Sequence, residues 1–140
     1  GNQMKRSEVR EHIFKFLFSV EFCEREEFEE QVSMYFQEHE SIRQKEQEEI
    51  TEKVTDLVSH LDELDQQISG HTKAWSLTRL GKAELSILRL AVYEILMDEN
   101  IPRKVAISEA VELSKKYCNE KAASFINGIL AGIGSDQDEK

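Results

Sequence analysis

The segment spanning residues 82–97 constrains the fold more than any other part of the chain, because it is apolar on almost every side of a helix. It contains the run ILRLAVYEI at residues 87–95. A helix that is apolar all round has to be covered by other elements, so we predict a helix over residues 82–97 at the centre of a bundle.

Elsewhere the apolar residues recur at helical rather than alternating spacing, and one proline and six glycines interrupt the sequence. This pattern predicts an all-α domain. Stripes of apolar residues predict helices over residues 5–22, around residues 28–36 and, as one long helix, around residues 46–68. A short helical turn is expected over residues 75–80. Pro102 at a helix start and Asn119 as an N-cap predict the last two helices, with Gly134 ending the second.

A chain of 140 residues fits one domain with a modest core. We expect this domain over residues 4–134, divided by a hinge at Gly70 into an N-terminal bundle of residues 4–69 and a C-terminal bundle of residues 72–134. Residues 135–140 form a polar tail. The three residues before Met4 are interpreted as a cloning remnant.

Charge is unevenly distributed along the chain, whose formal net charge is -10. Residues 21–65 hold sixteen acidic side chains against four basic ones, whereas residues 66–140 hold ten of each sign. The first twenty residues are locally basic because of Lys5, Arg6, Arg10 and Lys15. Since an acidic stretch repels a polyanion, any contact with nucleic acid is expected outside residues 21–65 and should be weak without help.

No catalytic or metal-binding pattern is present in the sequence. The four histidines are scattered, Cys23 and Cys118 have no metal or redox spacing, and no phosphate-binding loop or nucleophile motif occurs. We therefore predict no enzymatic activity, no cofactor, no metal and two reduced thiols. No apolar stretch is long enough for a membrane span, so a cytosolic protein is expected.

Several blocks resemble the NusB family of bacterial transcription antitermination factors. They are Leu88-Arg89 with Tyr93-Glu94, Ile101-Pro102 followed by residues 105–107, Glu109-Ala110 with Glu112-Leu113, and the run Phe125-Ile126-Asn127-Gly128. A weaker match at Arg10-Glu11 and Leu17 extends the resemblance over nearly the whole chain. It implies a NusB-like fold of about seven helices in two small packed bundles.

The same resemblance implies a function and a set of partners. It indicates an adaptor that binds boxA-type single-stranded RNA together with the ribosomal protein NusE, acts indirectly on the RNA polymerase complex and supports ribosomal RNA transcription. The RNA-binding residues it implies on the first helix are Lys5, Arg6 and Arg10. At the start of the last helix, Lys121 is expected to supplement them, with Phe125 nearby as a base-stacking group. Core packing is the stronger interpretation for Phe125, since the core position of this helix falls on Phe125 or Ile126. Family members often have more arginines at this first helix, so the basic cluster is thinner here. Whether the free protein forms a homodimer stays open.

The NusE surface is expected where polar residues interrupt the apolar central helix and the turn before it. The residues placed there are Arg79, Lys82, Glu84, Ser86 and Ile87. Two other functions remain alternatives: a regulatory helical domain related to RNA methyltransferases, and a helical scaffold that binds only proteins.

Three further features have competing interpretations. Phe14, Phe18 and Phe22 continue the line of Arg6 and Arg10 at four-residue spacing, either as a second core stripe or, for the upper ones, as a stacking surface. Arg89 is expected to form a structural ion pair, with Glu94 or Glu109 as partner. Gly128 and Gly132 are expected to permit tight internal packing.

Overall fold

The computed structural model describes residues 4–20, 27–72 and 80–136. These ranges contain seven α-helices and no strand. The helices are α1 (Arg6–Val20), α2 (Phe28–Glu38), α3 (Gln44–Ser59), α4 (Leu61–Ser69), α5 (Lys82–Met97), α6 (Arg103–Tyr117) and α7 (Glu120–Ala131). The predicted all-α class is confirmed. No helix in the described ranges is long and apolar enough to cross a membrane.

The chain divides into two compact units, Gly1–Ser59 and His60–Lys140. In the first unit, α1 packs against α2 and α3. Its predicted stripe is core: Val9, Ile13 and Leu17 are buried, while the side chain of Val20 lies outside the described part. Phe16, which lies off that stripe, is also buried, and its ring meets those of Phe28 and Tyr35 edge-on.

The second unit is built around α5, which has the bounds predicted from its sequence. Helices α4, α6 and α7 all pack against it. Ten of its sixteen residues are buried, and Ile87, Leu88 and Val92 have no exposed surface. Burial of side chains of this size contributes about 1.5 to 3 kcal/mol each, so α5 holds the unit together.

Arg89 is a basic residue in the middle of this apolar helix, and its partner comes from α4. Its Nε and Nη2 each donate to a carboxylate oxygen of Asp65 at 2.8 Å. The expected ion pair is therefore present, but the choice of Glu94 or Glu109 as partner was wrong. Asp65 is 24 positions earlier in the chain, and helical periodicity gives no information about a contact made between two helices.

The ends of α6 and α7 follow the local sequence signals. Pro102 is the N-cap of α6, and Asn119 caps α7 by accepting from the Ala122 amide at 2.7 Å. At the other end of α7, the Arg103 guanidinium donates to the carbonyls of Leu130, Ala131 and Ile133. Carbonyls at the end of a helix lack donors within it, and Arg103 supplies donors to this group. The Leu130 carbonyl also accepts from the Ile133 amide at 3.1 Å.

The long helix predicted over residues 46–68 is two helices. His60 leaves the helical conformation (φ -114°, ψ 16°), and α4 begins at Leu61. The buried residues continue in the same period across the break, at Ile50, Val54, Leu57, Leu64 and Ile68. Periodicity alone therefore does not reveal the break, for which the weak helix formers Ser59 and His60 are the available signal.

The division between compact units accordingly differs from the hinge expected at Gly70. It falls between Ser59 and His60, because α4 packs against α5 and joins the second unit. Of the turn expected over residues 75–80, only Leu80 lies within the described ranges. Cys23 lies outside them. α7 ends at Ala131, three residues before Gly134, whose φ of 68° places it in the left-handed region that favours glycine.

A pair of histidines joins α1 to α2. The Nδ1 of His12 is 2.8 Å from the Tyr35 hydroxyl, and the ring of His39 stacks on Tyr35 with ring centroids 4.1 Å apart. The pKa of His12 is lowered from its ordinary value, first by burial and then by the neighbouring His39 and Lys15, although Glu11 and Glu8 act in the opposite direction. The folded protein therefore favours neutral His12.

We predict that acid weakens the folded state through His12. Because the folded pKa is below the ordinary 6.5, the contribution of neutral His12 is fully present above that value and is lost as the pH falls toward the lowered pKa. His12→Gln, which keeps a polar partner for Tyr35, should reduce the fall in unfolding free energy between neutral pH and about pH 5. Denaturant titrations at several pH values measure this, with His60→Gln as the control. An unchanged pH dependence in His12→Gln would contradict the assignment.

Candidate nucleic-acid interface

The start of α1 presents the basic group predicted from the sequence, but only in part. Lys5 and Arg6 are exposed, and 59% of the Arg6 side chain is open to solvent. Arg10, one turn later, retains only 6% exposure. The four-residue spacing places Arg6 and Arg10 on one side of α1. Arg10 is nevertheless buried, because α1 is covered by the rest of its unit from Val9 onward.

The burial of Arg10 corrects its assignment as an RNA contact. Its side chain is among the buried polar groups and also interacts with other groups of the chain. A guanidinium in this position serves the fold, because a buried charge must be compensated by neighbouring groups. The exposed basic residues at the start of α1 are Lys5 and Arg6.

Two acidic residues of α3 hold this basic start in place. Arg6 donates to both carboxylate oxygens of Glu49, with 3.2 Å between Nη1 and Oε1. One turn earlier, Glu46 is buried. Burial alone would raise the pKa of Glu46. The hydrogen bond and the charge of Arg43, and then a hydrogen bond from the main chain of Met4, nevertheless hold that pKa below its ordinary value. The N-terminal segment is thus fastened to α3 by ionised carboxylates.

The phenylalanine line on α1 divides into core and surface. Phe14 is buried, and its ring centroid lies 6.3 Å from that of Phe18. Phe18 is 40% exposed, whereas Phe22 lies outside the described residues. The core interpretation is therefore confirmed for Phe14, whereas base stacking by the exposed Phe18 stays a prediction.

The α7 candidates lie in the second unit. Lys121 is exposed in the first turn, and Phe125 follows one turn later on the same side, half-buried. The core position of the Phe125-Ile126 pair belongs to Ile126, which has no exposed surface. Phe125 therefore stays partly accessible, one turn after Lys121.

Gly128 and Gly132 have different surroundings. Gly128 is exposed, and an added Cβ would meet nothing within 4 Å, so the expectation of tight internal packing is wrong there. At Gly132 an added Cβ would lie 2.8 Å from Cδ2 of His71, and tight packing is present. The two positions differ because Gly128 lies on the outward side of α7 and Gly132 is its C-cap.

Only some of the residues predicted to form a partner surface on α5 are accessible. Lys82 and Glu84 are partly exposed in the first turn, but Ser86 and Ile87 are buried at 3% and 0% exposure. Ser86 and Ile87 therefore offer no surface to a partner, which corrects their assignment. α5 becomes covered by other helices within one turn, so a polar residue inside it does not mark an exposed side. Arg79 lies outside the described residues.

Glu84 has a defined environment. An added Cβ at Gly81 would lie 3.2 Å from its Oε1, so the carboxylate bends back over the N-terminus of α5, where a negative charge is favourable. Burial, followed by the charge of Glu84, raises the pKa of the Cys118 thiol. Cys118 therefore remains protonated and is a poor nucleophile.

No group of three or more His, Cys, Asp or Glu side chains is placed to hold a metal ion within the described ranges. The contact that sequence reasoning missed is Glu49, which is 43 positions from Arg6. No spacing signal connects these two residues, because their contact arises from the packing of α1 on α3.

These features define an all-helical protein with exposed cations at the starts of α1 and α7, and comparison with known proteins gives its family. The model of the NusB family matches residues 7–135. The transcription antitermination protein NusB of Lachnoclostridium phytofermentans is 46% identical over 130 residues, which cover 93% of this chain and 98% of that protein.

Solved structures agree with this relationship. NusB of T. maritima superposes with a TM-score of 0.85 at 34% identity, covering 96% of this chain and 93% of that one. A crystal structure of the antitermination factors NusB and NusE in complex with double-stranded RNA contains a chain with a TM-score of 0.81 at 29% identity, covering 94% and 96%. The chain belongs to the NusB family. This membership confirms the predicted family, its fold and the prediction that the protein is not an enzyme.

We predict that Arg10 and Lys5 differ in their effect on folding. Arg10→Ala should lower the unfolding free energy by about 1 to 3 kcal/mol, because it removes a buried side chain and leaves its partners unsatisfied. Lys5→Ala should stay within about 0.5 kcal/mol of the parent protein, as expected for an exposed site. Urea unfolding followed by circular dichroism compares the two, and equal stability of the variants would contradict the structural role of Arg10.

Proposed function

We propose that this protein is an antitermination adaptor that binds boxA-type single-stranded RNA together with the ribosomal protein NusE. In the bacterial cytoplasm, it would thereby help RNA polymerase to transcribe ribosomal RNA operons. The observation that carries the proposal is membership of the NusB family over residues 7–135, together with a similar chain solved with NusE and RNA.

The described residues supply a small set of phosphate contacts. Lys5 and Arg6 at the start of α1, and Lys121 at the start of α7, are exposed cations. A lysine in the first turn of a helix opposes the helix dipole, so the position of Lys121 is not explained by helix stability. The exposed Phe18 and the partly exposed Phe125 supply aromatic surface for bases.

NusE contributes what the chain lacks. Residues 21–65 carry a net excess of twelve acidic side chains, counted as sixteen acidic against four basic, and their field opposes the approach of RNA. A basic partner compensates for this field and adds phosphate contacts. We place part of its binding surface at Lys82 and Glu84, the accessible polar residues at the start of α5.

The two alternatives have less support. The chain matches 98% of the length of a short antitermination protein, which favours that class over a helical domain of an RNA methyltransferase. A scaffold that binds only proteins agrees with the acidic composition but assigns no ligand to the exposed cations Lys5 and Lys121. RNA binding separates it from the proposed adaptor.

A salt titration with labelled boxA RNA tests the proposed function. With about three phosphate contacts, the protein alone should bind weakly and lose affinity with a slope near -2 in log K against log salt, at roughly 0.7 per contact. The complex with NusE should bind more tightly and show a steeper slope. Single- and double-stranded boxA competitors identify the preferred form. Equal affinity and slope with and without NusE would refute the shared binding surface.

We further predict that Glu84→Lys weakens the complex with NusE, because it reverses an accessible acidic charge facing a basic partner. The expected loss is about 2 to 5 kcal/mol of binding free energy if the charge is paired in the interface. Calorimetry without RNA measures it. Glu120→Lys is the matched control, since it reverses an acidic charge in the first turn of another helix and carries the same dipole penalty. Equal dissociation constants for the two variants would remove Glu84 from the interface.

A further inference from the structure

One of the exposed cations, Arg6, already has an anionic partner within its own unit. Its guanidinium contacts both carboxylate oxygens of Glu49, in the two-point arrangement by which arginine also binds a phosphate. The side chains of Arg6 and Glu49 are 59% and 31% exposed, so the pair lies at the surface. An RNA phosphate approaching Arg6 meets a site that is occupied by a carboxylate.

The carboxylate is held in its ionised form by these contacts. The hydrogen bond from Arg6, which outweighs the effect of burial, and then the charges of Arg6 and Lys53 lower the pKa of Glu49 below its ordinary value. Lys53 lies 3.7 Å from the same carboxylate, one turn further along α3. Glu49 is therefore negatively charged at any pH at which the protein would meet RNA.

We propose that Glu49 is an internal competitor for Arg6, whose carboxylate must be displaced before Arg6 can bind an RNA phosphate. Glu49 thereby sets the affinity and the salt dependence of the site at the start of α1. The inference rests on the proposed function, because it concerns the same RNA-binding surface. Glu49 lies on α3, outside the basic cluster of α1, and would limit RNA binding by that cluster.

The strength of the pair fits such an exchange. An exposed ion pair contributes little, because solvent screens it and two long side chains lose freedom in forming it. RNA can therefore displace Glu49 at a modest cost. The Arg89–Asp65 pair is less exposed, with side chains 18% and 23% open to solvent, and is less available for exchange.

The test is to neutralise Glu49 and measure RNA binding by the complex with NusE. Glu49→Gln keeps the size of the side chain and removes its charge. We expect the Kd for labelled boxA RNA to fall about two- to fivefold, the range that an exposed pair supports. The slope of log K against log salt should become steeper by up to about 0.7, because this is the contribution of one phosphate contact to a single strand.

Glu52→Gln is the matched control, because it removes the same charge from an exposed position on the same helix. Both variants reduce the general repulsion of RNA, so the difference between them reports the contact with Arg6. Glu49→Gln is also made in an Arg6→Ala background at low salt, where the gain should disappear. Circular dichroism verifies that every variant is folded.

Each outcome decides the inference. Equal Kd values for Glu49→Gln and Glu52→Gln, with normal binding by the parent protein, would overturn the inference and leave the proposed function intact. Weaker binding by Glu49→Gln would also overturn it, since Glu49 would then orient Arg6 for RNA. A gain that persists with Arg6→Ala would assign the effect to Lys53 or to general charge. Failure of the parent complex to bind RNA would refute the proposed function itself, and the inference with it.

Discussion

The burial of α5 is the constraint on which the second unit depends. Since α4, α6 and α7 all pack against it, most of its surface is removed from water within one turn of its start. Two consequences follow. Arg89 needs a partner that another helix supplies, and Asp65 of α4 meets that need with two hydrogen bonds. Among the polar residues of α5, Lys82 and Glu84 in the first turn and the Asp65-paired Arg89 stay partly exposed, so the same packing that stabilises the unit limits the polar surface of α5.

Pairing of guanidinium groups with the chain's own carboxylates recurs at different depths. Arg89 binds Asp65 in a largely covered position, Arg43 binds the buried Glu46 at 3.1 Å, and Arg6 binds Glu49 at the surface. The chain has 28 acidic residues against 18 lysines and arginines, so an arginine side chain commonly has a carboxylate within reach. Depth decides what such a pair does. A covered pair fixes two helices, whereas an exposed pair is weak enough to be exchanged for another anion.

Helical periodicity and capping residues predicted most of the fold, because these signals are local. The bounds of α5, the cap at Asn119 and the core stripe of α1 all follow from spacing within a few turns. The predictions that failed concern contacts between elements: the partner of Arg89, the burial of Arg10 and Ile87, and the open surroundings of Gly128. A sequence pattern shows which residues share one side of a helix, but not how deeply that side is covered by a neighbour. The site prediction depended on such depth more than the fold did, and the burial of Arg10, Ser86 and Ile87 is therefore not visible in the sequence.

The acidic composition and the proposed RNA contact impose opposite demands on the start of α1. Fastening Met4 and Arg6 to α3 requires the ionised carboxylates of Glu46 and Glu49, which together order the segment that carries Lys5. Binding a phosphate requires one of those carboxylates to give up its cation. An ordered segment loses less conformational freedom on binding than a flexible one, which offsets part of the cost of the exchange. For the proposed RNA contact at the start of α1, the balance favours RNA when further cations are supplied, because residues 21–65 carry an excess of acidic side chains that repels a polyanion. A basic protein partner would supply such cations, so the charge distribution of this chain supports the proposed binding together with NusE.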